Sequence, residues 1–107
     1  MKILVIGGAG FIGSHLCEAY SGNHAVTSID NYISGKTDNH IAHVEYIKLD
    51  AENILSLDKK FDIIFHLGEY SRVEQSLTKI DFVLKNNISP TLNVLKFAKR
   101  SNAKLIY

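Results

Sequence analysis

Ile3 to Ile6 is an unbroken apolar run that ends against glycine, the pattern of a short strand buried on both faces. From Phe11 to Tyr20 the apolar residues Ile12, Leu16 and Tyr20 recur every fourth position, which predicts a helix packed along that stripe. Ser21-Gly22-Asn23 stops it. Further strands are expected from Ala25 to Ile29, from Val44 to Leu49 and from Asp62 to Leu67, with a polar loop, Asn31 to His40, after the first of these. Lys79 to Ser101 reads as one long helix carrying two adjacent apolar rows. One row is Ile80, Leu84, Ile88, Leu92 and Leu95; the other is Val83, Asn87, Thr91, Val94 and Ala98. Lys85, Ser89, Lys96 and Arg100 fall on the face left to water. Pro90 deletes a backbone hydrogen bond in mid-course, at a cost of ~3 kcal/mol. Both rows stay in phase across it, so the expectation is a single kinked helix rather than two. Lys104 to Tyr107 begins a fifth strand.

Strands alternating with helices over short connections imply a parallel sheet with right-handed crossovers. The most economical arrangement is an α/β fold with a Rossmann-like, doubly wound parallel sheet, incomplete at about five strands in the order 3-2-1-4-5. Residues 1–107 are then one domain, with no second, substrate-binding domain in the sequence.

Charge changes this picture by exclusion. Twelve Lys and Arg against eleven Asp and Glu give a net charge of +1, which offers no electrostatic reason to expect nucleic acid or an anionic membrane as partner. Lys96, Lys99 and Arg100 cluster, and read as a solvated helix face. Cys17 is the single cysteine, so no disulfide forms within the chain; a cytoplasmic location fits that. Lys2 before an apolar stretch imitates a secretory leader, but glycines interrupt the stretch and His15 and Glu18 follow closely, which reads as strand, loop and helix.

The candidate chemistry begins at Gly7-Gly8-Ala9-Gly10-Phe11-Ile12-Gly13. This run satisfies G-x-x-G-x-x-G from Gly7 and G-x-G-x-x-G from Gly8, and it follows a buried strand and opens a helix, as a dinucleotide fingerprint requires. Gly7 is expected to permit the turn, Gly10 to let a pyrophosphate approach the backbone, and Gly13 to let the helix pack closely on the sheet. The N–H groups at the helix start attract phosphate; the helix dipole adds only ~0.3–1 kcal/mol per charge, so the amides carry most of the affinity. Asp30 ends the second strand, where a carboxylate accepts hydrogen bonds from the ribose hydroxyls of an adenine dinucleotide. A 2′-phosphate about 4 Å away would meet a repulsion of ~4 kcal/mol per charge at an effective dielectric of 20, and no arginine follows to offset it. NAD is therefore expected over NADP.

Gly7 to Leu16, then Asp30-Asn31 with Gly35-Lys36, resembles the NAD-dependent epimerase/dehydratase family of extended short-chain dehydrogenase/reductases. The resemblance implies cofactor contacts from Phe11, Ile12 and Asn31. It also implies that Asp50 meets the adenine amino group and that Ala51 adds a backbone contact. His66-Leu67-Gly68-Glu69, with Val73 and Ser76, is similar to the family's motif around the pyrophosphate and nicotinamide ribose, which assigns Leu67, Gly68 and Glu69 to the cofactor. Asn87, with Thr91, Asn93 and Leu95, resembles a family helix whose first Asn lies near the cofactor. Four positions depart from the family pattern: Ile6, Gly68-Glu69, Pro90, and the end at Tyr107 within the fifth strand.

The function implied is the N-terminal, NAD-binding part of a nucleotide-sugar epimerase or dehydratase with transient hydride transfer at the sugar C4; the alternative is a stand-alone NAD-binding module without catalysis. The family's Ser/Thr and Tyr-x-x-x-Lys follow the fifth strand, so no catalytic residue is assigned here and the 107 residues alone are expected to be inactive. A nucleotide sugar would be the longer enzyme's substrate, and a homodimer through the helix around Pro90 stays open. Tyr32 and Lys36 also match Tyr-x-x-x-Lys, but lie in the loop after Asp30, on the adenosine side, with no hydride to serve. His40 and His43 lack a third ligand nearby, so no metal is expected. Ser14 and His15 read as helix residues, and His66 as a hydrogen-bonded structural histidine.

Overall fold

A computed structural model describes residues 1–33, 35–67 and 80–106, those at 80–89 by backbone alone. Its elements run β1 (Lys2–Ile6), α1 (Phe11–Ser21), β2 (Ala25–Asp30), a 3-10 turn at Thr37–Asn39, β3 (Glu45–Lys48), a 3-10 segment at Ala51–Ser56, β4 (Ile63–His66), α2 (Ile80–Ser101) and β5 (Lys104–Ile106). All five strands are parallel, in the order β3-β2-β1-β4-β5. The order inferred from the alternating pattern is the one found.

β1 lies at the centre because each of its faces meets a different layer. Leu4 and Ile6 point into a core shared with Ile29, Ile54, Ile64, Val94, Phe97 and Ala98, beneath α2 and the 51–56 segment. Ile3 and Val5 point the other way, to Cys17, Val26 and Phe65 beneath α1. The register sets Ile6 opposite Ile29 on one side and His66 on the other, so the C-terminal ends of three strands finish level with the glycine loop.

Two expectations about helix faces are corrected. Ile12 does not line the core: it is 63% exposed, and α1 buries Gly13, Ser14 and Cys17 instead. Small residues form this contact because the helix start lies tight against the loop that precedes it. On α2, Val94 and Ala98 are buried as expected, together with Phe97 and Pro90, whereas Leu92 and Leu95 are 56% and 49% exposed. One sheet face accommodates one row of the helix, and the adjacent row is left outside. Lys96 and Arg100 are exposed as expected.

α2 runs through Pro90 as one helix. It stops at Asn102, whose left-handed backbone (φ 54°) turns the chain while Ala103 N–H donates to Ala98 O at 3.0 Å and Asn102 N–H to Lys99 O at 3.1 Å. That pair of bonds is the Schellman closure, which satisfies the last carbonyls of the helix. The 51–56 segment, absent from the pattern reading, starts under an Asp50 cap and inserts Ile54 fully into the core.

Candidate functional site

The glycine loop begins where β1 ends. Gly7 adopts φ 88°, a left-handed conformation that glycine enters without penalty, and its N–H donates to Ile29 O at 2.8 Å. A Cβ on Gly8 would stand 2.1 Å from Ser28 Oγ, so Gly8 is required by the close approach of the loop to β2. A Cβ on Gly13 would stand 2.1 Å from Gly7 O and 2.8 Å from the Gly8 Cα. The close packing expected of Gly13 is therefore against the loop itself, which leads out of the sheet. Gly10 differs, since a Cβ there would meet only Gly7 O, at 3.4 Å. Nothing in the described chain demands glycine at position 10, and the space beside it is open, as a bound group requires.

Gly10 is also the N-cap of α1, with no side-chain cap, and no acidic residue stands in the first turn. A helix offers no internal acceptor to its first N–H groups, which here belong to Phe11, Ile12 and Gly13. Phe11 is 77% exposed beside them. The positive end of α1 therefore opens beside Gly10 without a compensating carboxylate in its first turn.

Asp30 closes the other side. Its Oδ2 accepts the Ala9 N–H at 3.0 Å and its Oδ1 the Tyr32 N–H at 2.8 Å, so the carboxylate is oriented by the loops on both sides before any ligand arrives. Tyr32 reaches that position with φ 62°, and its hydroxyl hydrogen-bonds His40 Nε2 at 2.8 Å. Asn31 Oδ1 accepts the Ile33 N–H at 3.0 Å. A small crevice opens at the strand ends, lined by Ile6, Gly7, Ile29, Asp30, Asn31, Leu49 and Ala51. Four residues assigned to the cofactor from sequence, Gly7, Asp30, Asn31 and Ala51, thus share one wall.

The remaining assignments divide. Asp50 Oδ1 accepts the Glu52 N–H at 3.1 Å, which caps the 51–56 segment and fixes Ala51 at the crevice. Leu67 follows β4, its N–H donating to Ile6 O at 2.9 Å. His66 is buried, with Nε2 3.3 Å from Thr91 Oγ1, in keeping with a structural role. Asn87 lies on α2 but only its backbone is described, and Gly68, Glu69, Val73 and Ser76 lie outside the described residues. Tyr32 and Lys36 line a recess with His40 and Tyr46, in the loop that follows Asp30. Among the described residues no three His, Cys, Asp or Glu side chains converge on a point that would hold a metal. No helix among them is long and apolar enough to cross a membrane.

Sequence reading missed Gly8's role, the anchoring of Asp30 by Ala9, and the part played by Asn39, whose Nδ2 donates to Ala9 O at 2.8 Å. Only the first had a local signal, in the overlapping glycine templates. A broader hollow lies at the opposite end of the strands, lined by Met1, Lys2, His24, Lys60, Asp62 and their neighbours. Ligands of open parallel sheets bind at the carboxyl ends of the strands, which favours the smaller crevice as the site.

A parallel sheet of this order, with a glycine loop at the start of α1 and an acid at the end of β2, defines a fold of the Rossmann type. Comparison with known proteins narrows the class. The model of the NAD dependent epimerase/dehydratase family matches residues 3–107, and the chain belongs to that family. It is 33% identical to a UDP-N-acetyl-alpha-D-glucosaminuronate decarboxylase of Bacillus cytotoxicus, over 99% of this chain and 35% of the relative. Among solved structures it is similar to a UDP-N-acetylglucosamine 4-epimerase from Methanobrevibacter ruminantium in complex with UDP-N-acetylmuramic acid. That match has a TM-score of 0.86 and 34% identity, covering 99% of this chain and 36% of that one. It is also similar to a Thermus thermophilus UDP-glucose 4-epimerase in complex with NAD (TM-score 0.87, 26% identity, covering 100% and 37%). The chain spans about a third of the length of these relatives.

Proposed function

We propose that this chain is the NAD-binding part of an enzyme that acts on a UDP-linked sugar. The observation that carries the reading is the pairing of an open, uncapped helix start at Gly10 with the carboxylate of Asp30, which the N–H of the neighbouring Ala9 ties to the same glycine loop. The first suits a pyrophosphate, the second a ribose diol. Gly10, Phe11, Ile12 and Gly13 would hold the phosphates; Asp30 and Asn31 the adenosine ribose; Asp50 and Ala51 the adenine. Leu67 borders the loop, and Gly68, Glu69 and Asn87 complete the set by family resemblance. NAD supplies a hydride acceptor when bound. What these residues contribute is binding and orientation, because the side chains that move protons in the family's chemistry belong to the region after the fifth strand.

The relatives include both decarboxylases and epimerases acting on UDP sugars. The proposal is accordingly a UDP-sugar enzyme, with the outcome at the sugar set by residues beyond this chain. Exposed Leu92 and Leu95 on α2 support a homodimer through that helix, and the buried free thiol of Cys17 fits a reducing cytoplasm.

Two measurements test the reading. Calorimetric titration should show NAD binding to this chain, and a chain that binds no NAD overturns the cofactor assignment. Intact mass of the native protein should be about three times that of 107 residues, in line with relatives of which this chain covers 35–37%. A native mass near 12.0 kDa overturns the enzyme assignment for it and leaves a binding module.

A further inference from the structure

Ala9 sits at the middle of the glycine loop, fully buried, and both of its backbone groups are committed. Its N–H goes to Asp30 Oδ2 at 3.0 Å. Its carbonyl accepts from Lys36 N–H at 3.0 Å and from Asn39 Nδ2 at 2.8 Å, which occupies both lone pairs. The segment 35–39 is thereby strapped across the glycine loop, its far end held by a side chain thirty residues from the carbonyl it binds. The strap lies directly on the acid, since a Cβ on Gly35 would stand 2.8 Å from Asp30 Oδ2 and 2.9 Å from Ala9 Cβ. Asn39 is placed to bond by the 3-10 turn Thr37–Asn39, in which its own N–H returns to Lys36 O at 3.0 Å.

Beyond the strap, Lys36 and Lys48 line a recess with Tyr32, Thr37, His40 and Tyr46. With the strap closed, Gly35 fills the space on that side of the carboxylate.

Resting on the reading of the crevice as a dinucleotide site, we infer that Asn39 is a positioning and specificity-determining residue: its bond to Ala9 O latches the strap over Asp30 and enforces NAD over NADP. Asn39 acts through the strap, by keeping Gly35 against Asp30. Loss of the latch frees the strap to retract, which weakens the hold on the ribose diol and gives a 2′-phosphate room.

The test is calorimetric titration of NAD and of NADP into the unaltered chain and into Asn39→Leu, Asn39→Gln and Gly35→Ala, with amide exchange at Lys36 followed without ligand. The unaltered chain should prefer NAD. Asn39→Leu should reduce that preference about 3- to 10-fold, the range expected for one hydrogen bond, and speed exchange at Lys36. Asn39→Gln, which keeps the donor, should restore most of the preference. Gly35→Ala lifts the strap from its other end and should shift the preference in the same direction, so the inference stays testable if Asn39→Leu does not fold. A folded Asn39→Leu with unchanged preference and unchanged Lys36 exchange overturns the latch and leaves the cofactor site standing. An unaltered chain that binds neither dinucleotide removes the site, and the latch with it.

Discussion

The carbonyl oxygen of Gly7 lies 2.1 Å from the point where a Cβ on Gly13 would stand. No rotamer relieves that overlap, because both partners are backbone. Gly7 cannot move aside freely either, since its N–H is bonded to Ile29 O and its φ of 88° suits glycine alone. Gly13→Ala should therefore force the start of α1 off the loop and destabilise the chain by about 1–3 kcal/mol or more, the range for overpacking at a rigid site. Urea denaturation measures it, and a variant within a few tenths of a kcal/mol of the original would show that the helix start is not held against the loop.

Gly10 gives the opposite result in the same loop. A Cβ there meets one atom at 3.4 Å, so what a methyl costs the fold is chiefly the N-cap preference for Gly over Ala. Gly10→Ala should cost about 1 kcal/mol of stability, less than Gly13→Ala, and should also lower NAD affinity about tenfold, the equivalent of ~1.4 kcal/mol, because the methyl enters the space assigned to the pyrophosphate. Paired denaturation and titration separate the two effects. A loss of stability equal to that of Gly13→Ala, with NAD affinity unchanged, would place Gly10 with Gly13 as a packing residue.

Why the sequence revealed some of this and concealed the rest follows from what each contact depends on. β1 was legible because a strand buried on both faces has no polar position, and Ile3 to Ile6 show that directly. The sheet order followed from alternation and the handedness of crossovers. Ile12 misled because hydropathy weighs bulk, whereas the contact face of α1 is made of Gly13, Ser14 and Cys17, small residues chosen for close approach. Leu92 and Leu95 misled because two adjacent apolar rows do not say which one the sheet will take. The 51–56 segment has a single fully buried anchor, Ile54, and so no periodicity to detect. In the site, Asp30 was legible from its spacing to the glycine loop. Its partners were not, since Ala9 and Tyr32 bind it through backbone N–H groups that every residue carries.

Those two bonds make Asp30→Ala a test of both binding and order. Removing the carboxylate leaves the Ala9 and Tyr32 N–H groups without their acceptor, and hydrogen bonds to a charged group are worth ~1.5–3 kcal/mol each in net terms. Water replaces part of that at a half-buried site, so the expected loss is about 1–3 kcal/mol. NAD affinity should fall, and the margin over NADP should narrow because the repulsion of a 2′-phosphate disappears. An unchanged margin would show that the acid does not face the ribose.

Arg100 ties the end of α2 to the segment before β4: Nη1 donates to Leu55 O at 3.1 Å, Nη2 to Leu57 O at 2.9 Å, and the guanidinium lies 5.0 Å from the centre of the Phe97 ring. A lysine keeps the charge but not the fork. Arg100→Lys should cost about 1 kcal/mol in urea denaturation, the value of one or two exposed hydrogen bonds. Full retention of stability would mean that charge alone serves.

Cys17 supplies a pH dependence with a definite sign. Burial pushes its thiol up to about 11, with a hydrogen bond to Tyr46 pulling weakly the other way. In the unfolded chain it ionises near its ordinary value of 9.0. Below that pH both states hold the proton and the thiol contributes no slope. Between about pH 9 and about pH 11 the unfolded chain releases the proton while the folded chain keeps it, so stability declines by ~1.4 kcal/mol per pH unit, on the order of 2–3 kcal/mol in all. Tyr46, raised chiefly by burial, adds to the decline at the top of the window. Cys17→Ala removes the thiol's share at the cost of a small cavity, so the variant should be the less stable at pH 8 and should gain on the original as pH rises. Urea midpoints from pH 7 to pH 11 measure the convergence; two curves that stay parallel would mean that Cys17 reaches solvent and titrates in the folded chain as it does in the unfolded one.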